Sequence, residues 1–304
     1  MPGIIFFNGK FVPEEEAKVS VKTHAFNYGT GVFEGIRAFW NEKKEQLFVL
    51  ALKEHLQRFK NSCKILHINL PYSLEELSEI VLELLRKNEF KQDVYIRPLA
   101  FLSSEKIGVK LIDLESSITI FAVPFGSYYP DEEKVRAIVS SWRRVSDNAI
   151  PARAKCCGAY VNSALAKSEA LLAGFDEAIV LNEDGHVAEA SAANIFIIRN
   201  EIAITPPVTA NILEGITREI VISLLQSELS IEVQEREIDR TELYVADEIF
   251  VTGTACNISA IVEVDKRKIG EGKIGKITKS LRELYFEIVR GENKKYSHFL
   301  TPVY

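Results

Sequence analysis

The sequence predicts an α+β fold of two domains, and three observations carry the prediction. At 304 residues with 47% apolar side chains, the chain has material for two cores of ordinary size. Its strand-like runs are separated by only a few helices and many are joined as hairpins, the pattern of α+β rather than of a doubly wound α/β sheet. Between two of those runs lies "GSYYPDEE", residues 126–133, turn-rich and charged, the composition of a linker. The expected division is a smaller N-terminal domain over 1–125, a linker over 126–134 and a larger C-terminal domain over 135–304.

Each element follows from local pattern. "IIFFNGKFV" turns at Asn8-Gly9, a pair favoured in two-residue hairpins. "LKEHLQRFKNSCKIL" places Leu52, Leu56, Phe59 and Cys63 at helical spacing. "SLEELSEIVLELLRKNEF" opens with Ser73 and Glu76 in capping-box spacing and continues as a helix. Three strands follow, "DVYIRPLAFL", "SITIFAVPF" and, past the linker, "VRAIVSSW". "VNSALAKSEALLAG" is a helix closed by Gly174. Hairpins are expected around Asp184-Gly185 in "EAIVLNEDGHVAEA" and around Arg199-Asn200 in "NIFIIRNEIAITPP". "GITREIVISLLQSEL" and "KITKSLRELYFEIVRG" are the remaining helices, the second stopped by Gly291.

The totals exclude several classes of function. A formal net charge of -6 argues against nucleic acid or an anionic membrane as the main partner. Cys63, Cys156, Cys157 and Cys256 form no CxxC pair, and two adjacent cysteines suit neither a disulfide framework nor a tetrahedral zinc site. No metal is expected, and reduced thiols point to the cytoplasm. No basic segment followed by a long apolar one opens the chain, so no signal peptide is expected. No stretch approaches the roughly 18 apolar residues that a membrane span needs.

From Ala154 to Val161 the single charge is Lys155, set among small and apolar residues. An ordinary loop lysine that leads its ammonium to water is the competing reading. A desolvated amine, however, favours its neutral, nucleophilic form and can form a Schiff base. Gly158 allows a close backbone approach, and Tyr160 offers a phenol. Glu189, in "VAEASAANIF", is a second lone charge. It is either a solvated turn carboxylate or a partner that keeps a pyridine nitrogen protonated, so that the ring can draw electrons. Gly215, Ile216 and Thr217 open a helix, where N–H groups and the positive dipole end bind anions, although a plain helix start reads the same. Gly253-Thr254 in "FVTGTACNIS" is a second Gly-Thr turn at a strand end. Arg58 either adds a cation or is a solvated helix-face arginine. Amine, carboxylate and phosphate site together are the needs of pyridoxal 5'-phosphate (PLP).

"HAFNYGTGVFEGIRAF", "YIRPLAF", "IPARAKCCGAY", "VAEASAANIF", "EGITREI" and "VADEIFVTGTACNIS" occur in an order and spacing that resemble the branched-chain amino-acid aminotransferases, PLP enzymes of fold type IV, over almost the whole chain. The resemblance implies a small N-terminal α/β domain and a larger C-terminal domain with a β-barrel-like core. It implies that Lys155 carries the cofactor, that Tyr160 bonds the ring hydroxyl and that Glu189 meets the pyridine nitrogen. Arg58, Ile216, Thr217 and Thr254, with Gly215 and Gly253 beside them, fall on phosphate-binding positions. Tyr95 and the Thr254-Ala255 turn match the α-carboxylate site. Tyr28, Phe33, Phe125 and Tyr128 match the walls of the side-chain pocket, and Arg97 the group that receives a side-chain carboxylate. A loop reading "KIGV", ending in Val109, crosses in the family to the neighbouring subunit's site. A homo-oligomer is therefore expected, a dimer at least, with a hexamer left open.

The chain also departs from the family. Cys156-Cys157-Gly158 stands where small residues, often Gly-Gly, follow the lysine, and Ala159 where asparagine is common. Alanines replace glycines and a second glutamate in "EASAANIF", and Phe125 stands where tryptophan is frequent. These changes bear on cofactor packing and pocket shape more than on reaction type. The expected activity is transamination of L-leucine, L-isoleucine or L-valine with 2-oxoglutarate, giving branched 2-oxo acids and L-glutamate. D-Amino-acid transaminase and aminodeoxychorismate lyase are rivals of the same fold. The first is disfavoured because no Thr-Arg-Gly block with a nearby His follows residue 90. The second would not yield pyridoxamine phosphate. A non-catalytic PLP carrier is the rival of another class.

Overall fold

The computed structural model describes residues 3–304, and the chain divides into two compact units. The first takes the chain up to Gly126 together with Ala154–Gly158 and Glu287–Tyr304; the second holds Ser127–Arg153 and Ala159–Phe286. Nothing in the composition of 154–158 or 287–304 marks them as members of the first unit. Pairing made in the folded chain assigns them.

The first unit is built on an antiparallel sheet. Its strands run, in spatial order, Leu300–Pro302, Gln46–Leu50, Ile36–Asn41, Val94–Leu102, Ser116–Pro124, Ile4–Phe7 and Lys10–Pro13, and Gly31–Phe33 also pairs with Val94–Leu102. Asn8 and Gly9 both take positive φ, 45° and 88°, as a tight hairpin turn demands. Helices Leu52–Ile65 and Leu74–Asn88 pack on each other and, through Leu77, Val81 and Leu84, on the sheet. The capping box is formed: Glu76 N–H donates to Ser73 Oγ (3.1 Å) and Ser73 N–H to Glu76 Oε2 (2.7 Å). Along Val94–Leu102 the pleat sends Val94, Ile96, Pro98 and Ala100 into the core and leaves Tyr95, Arg97 and Leu99 half-buried on the opposite face. Two site candidates therefore share a face by strand periodicity alone.

The second unit is a mixed sheet in the order Val187–Ala190, Glu177–Leu181, Val135–Arg143, Asn257–Val264, Glu248–Gly253, Asn194–Arg199, Ile202–Thr205 and Val233–Glu235, with Arg267–Lys268 added to Asn257–Val264. Val135–Arg143 pairs in parallel with both neighbours, and Val233–Glu235 with Ile202–Thr205; the other pairings are antiparallel. One face packs Val135, Ile179, Ile195, Ile249, Val251 and Ile261 into a core. Ala178 and Val180, on the other face, meet Ala166 and Ala170 of helix Tyr160–Leu172, whose small side chains let it lie close. One turn differs from expectation. The second hairpin turns at Asn200 and Glu201, both at positive φ (51° and 62°), because Arg199 is still paired with Ile202.

Candidate active site

The predicted site residues fall into both units: the first brings Lys155, Phe33, Arg97, Tyr95 and Phe125 together, and the second brings Glu189 and Gly215 together through Asn194. In the first, Ala154–Gly158 runs as a short antiparallel segment beside Gly29–Phe33. Val32 and Cys156 form a bridge, Phe33 N–H donates to the Lys155 carbonyl (3.0 Å), Cys157 N–H to Gly31 O (2.9 Å) and Gly158 N–H to Gly29 O (3.2 Å). The small residues around Lys155 have a packing reason. A β-carbon on Gly29, already at φ +69°, would lie 3.0 Å from the Gly158 Cα, and one on Gly31 would press the Cys157 sulfur at 3.2 Å. Lys155 N–H donates to Ser62 Oγ (3.1 Å) on helix Leu52–Ile65, and its ammonium lies 5.1 Å from the Phe33 ring centroid.

The same helix carries Arg58, which is no solvated helix-face arginine. Its Nε and Nη2 donate to the two oxygens of Glu34 (2.7 and 2.9 Å), and His55 Nδ1 lies 2.8 Å from Glu34 Oε2. Glu34 is fully buried. Burial alone would push its carboxyl up, but the Arg58 charge and the hydrogen bonds from His55 and Arg58 hold it well below the usual carboxylate range. Burial in turn lowers His55 below the ordinary imidazole value, against the pull of Glu34. Glu34 occupies a break in the sheet. Its N–H donates to the Pro98 carbonyl (2.9 Å), and the ladder to Val94–Leu102 is interrupted there between Phe33 and Ile36, opposite the proline that lacks a donor.

Arg97 lies over the rings of Phe33 (4.3 Å) and Tyr95 (5.1 Å) and donates from Nη2 to Tyr95 Oη (2.9 Å). Its Nε is buried without a hydrogen-bond partner, and no carboxylate of the described residues lies within ion-pair distance of it. An interstrand ion pair is therefore not its role. Phe125 stands 5.3 Å from Tyr95, ring to ring. Tyr28 and Val109 form a separate, exposed group: Gly108 N–H donates to Tyr28 Oη (3.2 Å), His24 bonds the Gly108 carbonyl (2.7 Å), and Val109 is 80% exposed.

In the second unit Glu189 is buried and tied on both oxygens. Arg144 Nη2 is 3.1 Å from Oε1, while Asn194 Nδ2 (3.2 Å) and Leu213 N–H (3.3 Å) donate to Oε2. Asn194 Nδ2 also donates to the Leu213 carbonyl (3.0 Å). Gly215, the residue before helix Ile216–Ser227, has no side chain with which to cap that helix, and a β-carbon on it would run into the Asn194 amide oxygen. One asparagine thus ties the carboxylate to the approach of an uncapped helix N-terminus, beside Ile216 and the buried Thr217. Thr254 and Ala255 lie in the turn that joins Glu248–Gly253 to Asn257–Val264, half-buried, with Gly253 at its entrance. Tyr160 opens helix Tyr160–Leu172. Tyr128 adjoins Tyr129, whose hydroxyl donates to the buried Glu177 (2.6 Å), and Lys167 Nζ lies about equally over both rings (5.1 and 4.9 Å) while bonding Glu177 (2.8 Å).

Sequence reasoning missed Glu34, His55, Ser62, Arg144 and Asn194. Glu34 was open to detection, being the one acidic residue in "GVFEGIRAF". Ser62 acts through one hydrogen bond to Lys155, far away in sequence, and Asn194 through two, to Glu189 and to the Leu213 carbonyl, and no local pattern announces them.

Residues 31–264 match the family model for amino-transferase class IV. The chain belongs to the class IV aminotransferases, PLP-dependent enzymes with the α+β architecture of fold type IV. It is similar to the probable branched-chain-amino-acid aminotransferase of Aquifex aeolicus, 56% identical over 299 residues that make up 98% of this chain and 96% of that one. Among solved structures it resembles the branched-chain aminotransferase of the archaeon Thermoproteus uzoniensis with norvaline (TM-score 0.95, 48% identity, 99% of each chain). It also resembles the branched-chain amino acid aminotransferase of Thermobaculum terrenum in its PLP form (TM-score 0.95, 36% identity, 100% of this chain and 99% of that one).

The side chains present suit the cofactor. The Glu189 carboxylate is held by the Arg144 guanidinium at 3.1 Å. The uncapped start of Ile216–Ser227 supplies N–H donors of the kind phosphates bind. Arg58 and Lys155 are held on the same helix of the first unit, one by its side chain's place there and one through Ser62.

Proposed function

We propose that this chain transaminates L-branched-chain amino acids with 2-oxoglutarate as acceptor, and that Lys155 is its catalytic residue. The observation that carries the reading is Arg97: a cation without a carboxylate partner, on the same strand face as Tyr95 and among the rings of Phe33 and Tyr95. Transamination must admit a leucine side chain and a glutamate side chain to one pocket in turn. The rings offer apolar surface, worth about 25 cal/mol for each Å² buried. Arg97 offers a guanidinium fork to a γ-carboxylate that would otherwise lose its hydration without return.

PLP, when bound, supplies an aldehyde for amines and an electron-withdrawing ring. Lys155 would hold it covalently, Tyr160 would bond its ring hydroxyl, and Arg58, Gly215, Ile216, Thr217, Gly253 and Thr254 would surround its phosphate. Glu189 would meet the ring nitrogen, with Arg144, Asn194 and the Leu213 amide fixing the orientation of its carboxylate. The Lys155 amine would be the base that takes the proton from the substrate α-carbon. Tyr95 and the Thr254-Ala255 turn orient the α-carboxylate. Phe33 and Phe125 would form the apolar wall for the side chain, with Tyr28 and Tyr128 as further candidates for it.

A homo-oligomer, a dimer at least, belongs to the same proposal. Ile107 (86%) and Val109 are exposed on the loop "KIGV". Ile4, Phe26, Phe101, Phe121, Val123 and Cys157 line an apolar groove of about 580 Å3 in the first unit. A cytoplasmic location is supported by four free cysteines. Among the described residues no helix is long and apolar enough to cross a membrane. The test of the activity is the spectrum of the PLP-loaded protein before and after L-leucine. Conversion to pyridoxamine phosphate with release of the 2-oxo acid is expected. No conversion with L-leucine, or conversion with D-leucine alone, would overturn the reading.

A further inference from the structure

A ladder of cations and aromatic rings runs through the first unit. It starts at the Lys155 ammonium, which lies 5.1 Å from the Phe33 ring, and Phe33 lies 4.3 Å from the Arg97 guanidinium. Arg97 lies 5.1 Å from the Tyr95 ring, which is 5.3 Å from the Phe125 ring. Phe125 lies 4.9 Å from the guanidinium of Arg37, and Arg37 lies 5.0 Å from Phe39, on which Arg290 also rests at 5.5 Å. Arg37 is the unassigned member. It is only 3% exposed, which is costly for a cation, and its nearest carboxylate, Asp93, is 3.8 Å away and held more tightly by Arg290 (2.5 and 2.7 Å). Its two terminal nitrogens instead donate to backbone, Nη2 to the Phe125 carbonyl and Nη1 to the Gly126 carbonyl, each at 3.2 Å. Those are the last two residues before the chain leaves the first unit. Arg37 is also the cross-strand partner of Tyr95, directly opposite it on the same face.

From this arrangement we propose that Arg37 is a positioning residue that sets side-chain specificity. It fixes the Phe125 ring by stacking on it and the Phe125–Gly126 backbone by two hydrogen bonds. Through Phe125 and Tyr95 it determines where the Arg97 guanidinium stands. A planar guanidinium suits this post, since it stacks on two rings while its fork donates sideways to two carbonyls. An ammonium carries the same charge but cannot do both. Removing Arg37 leaves Asp93 with Arg290, so the change strands no carboxylate. The wall and the Arg97 fork loosen together, while Lys155, held by backbone bonds to Phe33 and Ser62, stays in place.

The proposal rests on Phe125 and Arg97 lining the side-chain pocket, and the test separates the two ideas. Single-turnover half-reactions of the PLP-loaded enzyme would be measured with L-leucine, L-glutamate and L-alanine, whose methyl group is too short to reach the wall. Arg37→Met should weaken apparent binding of leucine and glutamate by roughly tenfold and leave alanine, the maximal rate and the resting absorbance of the cofactor within about twofold. Arg37→Lys serves as the second variant if Arg37→Met does not fold, and should show the same selective loss. Equal losses for all three amino acids, or none, would overturn the role given to Arg37. Phe125→Leu is the control. If it too leaves the ratio of leucine to alanine unchanged, the pocket assignment fails. If it alters that ratio while both Arg37 variants do not, only the positioning role fails.

Discussion

Replacing Arg97 by leucine should damage one half of the catalytic cycle and spare the other. In the structure this guanidinium has a phenol as a neutral partner, two rings at 4.3 and 5.1 Å, a buried Nε without an acceptor and, among the described residues, no carboxylate within reach. Its charge is therefore not neutralised inside the fold and is available to a ligand. A γ-carboxylate that pairs with it would lose, on truncation, roughly 2–5 kcal/mol, or about 30-fold to a few thousandfold at 1.4 kcal/mol for each factor of ten. Leucine's side chain makes no such pair and should lose far less. Because no internal ion pair is broken, thermal stability should change little. The assay is rapid mixing: PLP-form enzyme with L-leucine, and pyridoxamine-form enzyme with 2-oxoglutarate, each followed by cofactor absorbance. Equal losses in both halves would mean that Arg97 supports the fold or the α-carboxylate, and the account of dual substrate recognition would fall.

Two further outcomes are expected. Glu189→Gln keeps the shape but removes the charge proposed to face the ring nitrogen and turns one acceptor into a donor among the donors Arg144, Asn194 and Leu213 N–H, so Cα deuteration should give a larger isotope effect; unchanged activity would remove Glu189 from the mechanism. Glu34 is held below the usual carboxylate range, so its contribution to stability is complete above about pH 4.3 and drains away as pH falls through the lower folded value. Glu34→Gln should thus be less stable than the parent by about 3–5 kcal/mol at neutral pH, as when a buried pair is broken, with the gap narrowing in acid. A gap in denaturant midpoints that is constant from pH 7 to pH 3 would contradict this.

Much of the fold was legible because it rests on local signals. Asn8-Gly9 and Ser73–Glu76 each specify a turn or a cap within four residues, and both form as written. The period of two in "VYIRPLAFL" is enough to put Tyr95 and Arg97 on one face. What stayed hidden depends on residues far apart in the chain. The strands Gly31–Phe33 and Ile36–Asn41 are short and divided at Glu34, and their existence depends on pairing with Val94–Leu102 some sixty residues later. Arg37 reads in sequence as an ordinary strand arginine. Its burial, its two carbonyl partners and its ring contacts exist only once Phe125 and Gly126 come to lie beside it. The second hairpin turns one residue later than the local pattern predicts, because only strand register chooses between Arg199-Asn200 and Asn200-Glu201.

The central claim is that Lys155 is the residue that bonds PLP. Borohydride reduction of the PLP-loaded protein, followed by proteolysis and mass mapping, tests it directly. A stable phosphopyridoxyl mass on Lys155, lost together with nearly all turnover in Lys155→Ala, is the result the account predicts. The same mass on another lysine, such as Lys167, which here bonds the buried Glu177, would contradict it.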